Sequence, residues 1–317
     1  MKVILTGITG NLGSEIFRTL RRNGHQVIPV VRAENEEEAF ERLRLTLGDE
    51  ISFPQIIISD LLERWPSTTY KSADCIIHCA GIVKLRNVQS RNARMAGIIS
   101  LLAEELGIHL YHISTAFVWK PDVSVVRNEY EKDKKEAEKI VSDSKIPWAI
   151  FRPSILTGNS ANGCILQCNG YHAVLKAFMK AVKDAPNHVI RFPCFIGQTN
   201  VLPVNLAADE IVNLVESNAQ GIHFITNPSP PSSEWLILTN LRCLGLHKRI
   251  AFVDCSLSKY EAFNLTNSER ELCNRLKHFV PYWTGPHMFP NSRIRSARID
   301  THYVEKIIDH AQLKDWI

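Results

Sequence analysis

The first thirteen residues, Met1-Lys-Val-Ile-Leu-Thr-Gly-Ile-Thr-Gly-Asn-Leu-Gly13, constrain the fold more than any other stretch. Val3, Ile4 and Leu5 form an apolar run long enough for one buried strand. Glycines follow at 7, 10 and 13, and then Ile16, Phe17 and Leu20 recur at helical spacing. A strand, a glycine turn and a helix in that order aim unpaired helix N–H groups and the positive end of the helix dipole at one point, which suits a phosphate. A Cβ there would block the turn or the approach of a pyrophosphate. By spacing alone, a plain tight turn is the competing account.

Composition narrows the alternatives. The 317 residues, 45% hydrophobic and 22% charged, suit one large α/β domain or a nucleotide-binding domain with an appended lobe. A net charge of +4 without a Lys/Arg block gives no support to nucleic-acid binding. Arg18, Arg21 and Arg22 read as a solvated helix face. No apolar run approaches the ~18 residues of a membrane span. Met1 leads directly into the first strand, so the expectation is a cytoplasmic chain without a signal peptide and an unused Asn264 sequon. Eight scattered cysteines without a Cys-x-x-Cys pair read as buried free thiols. Cys164 and Cys168, four apart, are too few ligands for a metal site, so none is expected.

Along the chain, strands are expected at Gln26–Val31, Gln55–Ser59, Asp74–Cys79, His109–Ile113 and Pro147–Arg152. Helices are expected at Glu34–Leu47, Arg91–Leu106 and Glu129–Ser142, the first placing Ala39, Phe40, Leu43 and Leu47 on one face. Alternating strands and helices imply a parallel sheet covered on both faces. After Pro153 the alternation loosens. Helices at Gly170–Lys183 and Ala207–Ser217 and a strand at Ile222–Thr226 remain, with a helix start at Ser232. Phe178, Phe192, Phe195, Trp235, Tyr282 and Trp283 suit an apolar pocket or the core of a lobe.

Chemistry concentrates at strand ends. Arg32 ends the second strand, where an arginine accommodates a 2′-phosphate and an acidic residue would bind a ribose hydroxyl. Its alternative is a surface arginine paired with a neighbouring glutamate. Asp60 reads equally as an acceptor for an adenine amino group or as a helix cap. Cys79-Ala80-Gly81 ends the fourth strand in small residues, as a backbone close to a cofactor requires. Tyr130 and Lys134 are four apart and share a helix face. A lysine beside a tyrosine lowers the phenol pKa and can hold a cofactor ribose, and the phenol can protonate a carbonyl oxygen as hydride arrives. The surrounding charges (Glu129, Glu131, Lys132, Asp133, Lys135, Glu136) allow a plain solvated face instead. Ser114-Thr115, at the C-terminal end of the fifth strand, offers hydroxyls to the same carbonyl.

Together these residues resemble the extended short-chain dehydrogenases/reductases of the NAD(P)-binding Rossmann superfamily. Thr6-Gly7-Ile-Thr9-Gly10-Asn11-Leu12-Gly13 matches the family's cofactor loop in its extended spacing, Asp60-Leu61 the segment near adenine, and Asp74-x-Ile-Ile-His-Cys79-Ala80 the strand ending in the cofactor's path. Asn92 falls on a structural asparagine, Ser114-Thr-Ala-Phe-Val118 on the Ser/Thr strand, and Arg152-Pro153-Ser154-Ile155 on the strand that follows Tyr130 and Lys134. The resemblance implies catalytic Thr115, Tyr130 and Lys134. It implies cofactor contacts from Thr6 to Gly13 and at Arg32, Asp60, Leu61, Cys79, Ala80, Gly81, Lys134, Pro153, Ser154 and Ile155. The expected architecture is a Rossmann doubly wound parallel sheet over residues 1–158, with later strands returning around 186–226, and a smaller C-terminal substrate-binding lobe over 159–317.

Within the superfamily, Val31-Arg-Ala33, Ala39-x-Glu-Arg-Leu43 and Asn200-Val-Leu-Pro-Val204 are most similar to the fatty acyl-CoA reductase or thioester reductase branch. Asn205 and Ser59 depart from that branch's aspartate and glycine, and Met95-Ala96 from its Gly-Thr. The branch implies NADP(H), with NAD(H) as the alternative, and an acyl thioester on coenzyme A or a carrier protein, or a free small-molecule carbonyl, in a biosynthetic pathway. The other readings are a ketone or aldehyde reductase for a small aromatic or apolar metabolite, an NAD-retaining epimerase or dehydratase acting on a sugar nucleotide, and a non-catalytic nucleotide-binding protein. Oligomeric state stays open, a homodimer included.

Overall fold

A computed structural model describes residues 1–49, 51, 53, 55–62, 72–85, 88–119, 126–168 and 170–317. In chain order the strands are β1 (Lys2–Thr6), β2 (Gln26–Val31), β3 (Ile57–Ile58), β4 (Cys75–His78), β5 (His109–Ile113), β6 (Trp148–Pro153), β7 (Ile155–Thr157), β8 (Ile190–Pro193), β9 (Gly197–Gln198), β10 (Val201–Pro203), β11 (Gly221–Ile225), β12 (Ile250–Val253) and β13 (Gly285–Pro286). The α-helices are α1 (Asn11–Arg22), α2 (Glu36–Leu47), α3 (Arg91–Leu106), α4 (Glu129–Ser142), α5 (Gly170–Asp184), α6 (Val204–Glu216), α7 (Ser233–Cys243), α8 (Leu257–Glu261), α9 (Asn267–Leu276), α10 (Val280–Trp283) and α11 (Thr301–Leu313). They form two compact units. One comprises Met1–Ser154, Val204–Thr226 and Phe289–Ile294, and the other Ile155–Pro203, Asn227–Met288 and Arg295–Ile317.

The first unit is a seven-stranded sheet in the order β11-β6-β5-β4-β1-β2-β3, parallel at every pairing. Strand order reverses between β1 and β4, which makes the crevice at their C-terminal ends the place where such sheets bind ligands. Val3, Ile4 and Leu5 are fully buried, as a strand covered on both faces must be. One face packs on α3 and α4 through Ile4, Ile76, Leu110 and Ile150 against Ala96, Ile99, Ala137 and Val141. On the other, the Tyr111 hydroxyl donates to the Val215 carbonyl of α6 (3.2 Å) and the Tyr111 ring stacks on Phe151. Residues 289–294 run beside β11, where Arg293 N–H donates to the Phe224 carbonyl (2.8 Å).

Local readings hold closely for α3, β5 and α4. Elsewhere packing shifts them. The third strand shrinks to Ile57–Ile58, and α2 starts at Glu36 because Asn35 caps it, accepting from Glu38 N–H (2.9 Å). Ala39 and Leu43 are buried, but Phe40, expected on the same face, is 43% exposed. Within 186–226 only β11 joins the large sheet, whereas β8 pairs with β12. The thiols also differ from expectation: Cys75 and Cys273 are buried, Cys164 and Cys168 are exposed, and the other four lie between.

The second unit contains three two-stranded parallel pairs, β7 with β10, β8 with β12 and β9 with β13, among the helices. Its core is aromatic. Phe178, Phe192, Phe195 and Trp283 are almost fully buried and their rings meet edge-on or stacked, Phe178 to Phe192 at 5.4 Å and Phe195 to Trp283 at 5.9 Å. That places these four rings in the core of the unit. Among the described residues no helix is long and apolar enough to cross a membrane, and no His, Cys, Asp and Glu side chains converge as metal ligands would.

Candidate active site

The glycine loop leaves β1 at Thr6. Gly7 has φ +72°, and a Cβ on it would fall 2.6 Å from the Ala80 nitrogen, so the β1 and β4 turns touch only because it is glycine. A Cβ on Gly13 would strike the Gly7 carbonyl oxygen at 2.1 Å, which ties the first turn of α1 tightly to the loop. A Cβ on Gly10 would meet only that same oxygen, at 3.2 Å, and otherwise faces open space. No side chain caps α1, and its first turn carries no acidic residue. A cradle with open space before uncapped amides fits a pyrophosphate. Thr6 is buried and holds the two turns together, accepting from Ala80 N–H (3.0 Å) and bonding His78 Nδ1 (2.8 Å). Leu12 is buried beside the loop, while Thr9 and Asn11 are half-buried on it.

Arg32 is exposed just beyond β2 and has no ion-pair partner among the described residues, so the pairing with a neighbouring glutamate does not form. Asp60 is exposed and accepts from Leu62 N–H (3.2 Å). The helix that it was expected to cap would lie in residues 63–71, outside the described ones, and Leu61 packs against the core.

At the other side of the crevice, Lys134 is 4% exposed. Its Nζ donates to the Ile113 carbonyl (2.9 Å), the one acceptor it has among the described residues. A methyl on Gly81 would come within 3.1 Å of both Nζ and Asn92 Oδ1. Burial lowers the Lys134 ammonium to about 8, against the opposing pull of Cys79, Asp133 and Glu138. Thr115 is buried and caps the short 3₁₀ turn Ala116–Val118, accepting from Phe117 N–H (3.4 Å), and its hydroxyl acts on the half-buried Tyr130 phenol. Tyr130 differs from the sequence expectation of a lowered phenol: burial pushes it up to about 12, helped by Glu131 and Asp133, and the Thr115 bond only moderates the rise. The phenol is therefore held protonated, the form a proton donor needs. Pro153 and Ser154 end the first unit, whereas Ile155 opens β7 of the second.

The charge run on α4 is not a plain solvated face. Glu131, Asp133, Lys134 and Glu138 are all buried. Asp133 accepts from the N–H groups of Asn92 (2.9 Å) and Ala93 (3.0 Å), supplying from α4 the cap that Ser90 does not give α3. Asn92 in turn bonds both N–H and C=O of Ile82, fixing the strand exit beyond Gly81. Glu138 makes a bidentate pair with Arg152 of β6 (2.9 and 2.6 Å), and the Arg152 guanidinium lies over Phe224. Tyr130, Lys134 and Glu138 are successive i, i+4 positions on one helix face, a spacing that could have pointed to Glu138.

A Rossmann sheet with this cradle and this Thr–Tyr–Lys constellation defines an NAD(P)-dependent oxidoreductase. The NAD dependent epimerase/dehydratase family model matches residues 3–160, and the male sterility protein model matches 122–211. The two matches overlap at 122–160 and together span residues 3–211, and the fold is that of the extended short-chain dehydrogenases/reductases. No curated protein matches the sequence. Among solved structures it is similar to the terminal R domain from the myxalamid PKS-NRPS biosynthetic pathway (20% identity, 100% of this chain and 91% of that one, TM-score 0.77). It is also similar to UDP-glucose-4-epimerase from Stenotrophomonas maltophila with bound NAD and formylated UDP-arabinopyranose (14%, 99% and 98%, 0.65) and to the UDP-Glc/GlcNAc 4-epimerase from Campylobacter jejuni (14%, 98% and 99%, 0.64).

Proposed function

We propose that this chain is an NADPH-dependent reductase of acyl thioesters, with Thr115, Tyr130 and Lys134 as its catalytic residues. The observation that carries the reading is the half-buried Tyr130 phenol, held protonated and acted on by the Thr115 hydroxyl, with Lys134 one helical turn away. Bound NADPH would supply the hydride. Thr115 and Tyr130 hold the carbonyl oxygen and Tyr130 gives it a proton. The hemithioacetal so formed breaks its C–S bond to give the aldehyde and the free thiol, the oxygen's proton passing to sulfur. Lys134 keeps two N–H bonds for a nicotinamide ribose. Gly7 to Gly13 receive the pyrophosphate, and Asp60 and Leu61 border adenine. Cys79, Ala80, Gly81, Pro153 and Ser154 line the path to the nicotinamide. The thioester branch is supported by the male sterility match over 122–211 and by the higher TM-score to the terminal R domain than to the two epimerases. The acyl group would arrive on coenzyme A or a carrier protein. Incubation with NADPH and a panel of acyl thioesters, aldehydes and ketones, followed by absorbance, tests the reading. Oxidation with ketones alone rejects the thioester assignment.

Arg32 is the proposed contact of the 2′-phosphate. Arg32→Glu removes a charge-assisted hydrogen bond of about 1.5–3 kcal/mol, so NADPH affinity should fall roughly 10–100-fold while NADH affinity holds. Fluorescence titration with each cofactor measures this, and equal losses for both would take the specificity role from Arg32.

Reduction should also fall off with alkaline pH. Lys134 is charged below about 8 and neutral above it, while Tyr130 keeps its proton to about 12. The kcat/KM profile should therefore be level on the acid side and decline as pH rises through about 8. A profile level well beyond that point would mean that the Lys134 charge is not used.

A further inference from the structure

Glu131 follows Tyr130 in the first turn of α4 and is fully buried. A carboxylate taken out of water needs a cation and hydrogen-bond donors beside it. Arg127, just before the helix, supplies both. Its N–H donates to Glu131 Oε2 (2.9 Å), and its guanidinium Nε stands 3.6 Å from Glu131 Oε1. Asn128 caps the same turn, accepting from Glu131 N–H (3.0 Å). The chain entering α4 is thus tied to the helix at the residue next to Tyr130.

The same guanidinium lies over the Phe117 ring, 5.8 Å from its centroid. Phe117 is buried, and its ring also meets that of Phe289 in a T-shaped contact at 5.4 Å. A guanidinium over an aromatic face is attracted by the ring quadrupole, more strongly where water is excluded. Phe117 belongs to the 3₁₀ turn that Thr115 caps, and its N–H donates to Thr115 Oγ1 (3.4 Å). A shift of the Phe117 ring therefore carries Thr115 with it. Contacts run without a break from Tyr130 through Glu131, Arg127 and Phe117 to Thr115.

We infer that Arg127 is a positioning residue: it holds the turn that carries Thr115 against the first turn of α4, so that the Thr115 and Tyr130 hydroxyls meet one carbonyl oxygen. Its effect on turnover rests on the reductase reading, whereas its hold on Phe117 does not. Arg127 touches neither substrate nor cofactor in this role. Two donors must converge on one oxygen as charge grows there, and a misplacement of about 1 Å can cost on the order of a hundredfold in rate. Lysine at this position keeps the charge beside Glu131 but not the flat group that stacks on the ring, and methionine keeps only the stem.

Amide hydrogen exchange tests the hold without any substrate. In Arg127→Met the Phe117 amide should exchange about tenfold faster, while the amides of β5 keep their protection. Arg127→Met combined with Glu131→Gln removes the buried charge together with its partner and is read in the same way if the single variant fails to fold. Unchanged exchange at Phe117 would overturn the proposal. Steady-state kinetics with NADPH and an acyl-coenzyme A test the consequence. In Arg127→Met kcat should fall roughly 10–100-fold with KM and NADPH affinity held, and Arg127→Lys should recover part of the loss. Phe117→Leu should lose a similar factor, and the double variant with Arg127→Met no more than the worse single one, because both cut the same contact. Wild-type kcat in Arg127→Met, losses that multiply in the double variant, or a matching loss of NADPH affinity would each overturn the positioning role. A wild type that reduces no thioester, aldehyde or ketone rejects the reductase reading instead, and the exchange experiment then decides the hold on Phe117.

Discussion

Tyr130→Phe should lower carbonyl reduction by roughly 10²–10⁴ while NADPH binds as before, because it removes only the group that gives the proton. The ring stays in place, half-buried on α4. Thr115 keeps the contact from Phe117 N–H (3.4 Å). The cofactor cradle depends on Gly7, Gly10, Gly13 and the amides of α1, so affinity for NADPH should be untouched. Steady-state rates and a fluorescence titration on the same preparation separate the two effects. Full activity in the variant would remove Tyr130 from the mechanism, and a matching loss of NADPH affinity would show that the ring, not the proton, matters.

The largest stability effect should come from Glu138→Ala. Glu138 and Arg152 face each other with side chains only 8% and 12% exposed, and removing one strands the other charge in the interior. Such losses cost about 3–5 kcal/mol. For a chain of this size that is a fall in Tm on the order of 10 °C. Glu138→Gln should lose less, since an amide oxygen can still accept from Arg152. The double variant Glu138→Leu with Arg152→Met should recover much of the deficit, because the pair is then gone as a whole. Thermal melts measure all three, and an Ala variant that melts with the wild type would show that water already solvates the pair.

Much of this arrangement is legible in the sequence because it is local. The apolar run Val3–Leu5, the three glycines and the helical spacing of Ile16, Phe17 and Leu20 specify the nucleotide turn within about twenty residues. Helix α4 declares its start through its Asn128 cap, helix α3 its end through Gly107, and both their extent through periodicity. What the sequence does not show is partnership over distance. Asp133 and Glu138 look like the other charges of α4 until Asn92, Ala93 and Arg152 are placed beside them. Phe40 fits the helical stripe with Ala39 and Leu43 but falls outside the surface that the sheet covers. The pairing of β8 with β12 joins residues about sixty apart and has no local signature. The direction of the Tyr130 shift was likewise hidden, because it depends on burial rather than on the lysine four residues away.

The interruption of the nucleotide-binding unit bears on its synthesis. Its chain runs to Ser154, leaves, returns for Val204–Thr226, leaves again and returns for Phe289–Ile294. A ribosome adding ~5–20 residues per second has emitted β1 to β6 on the order of ten seconds before the strip beside β11 exists. Through that interval the outer edge of the sheet, first β6 and then β11, is open to another chain. An open edge of this kind favours pairing between nascent chains until the last piece of the unit arrives.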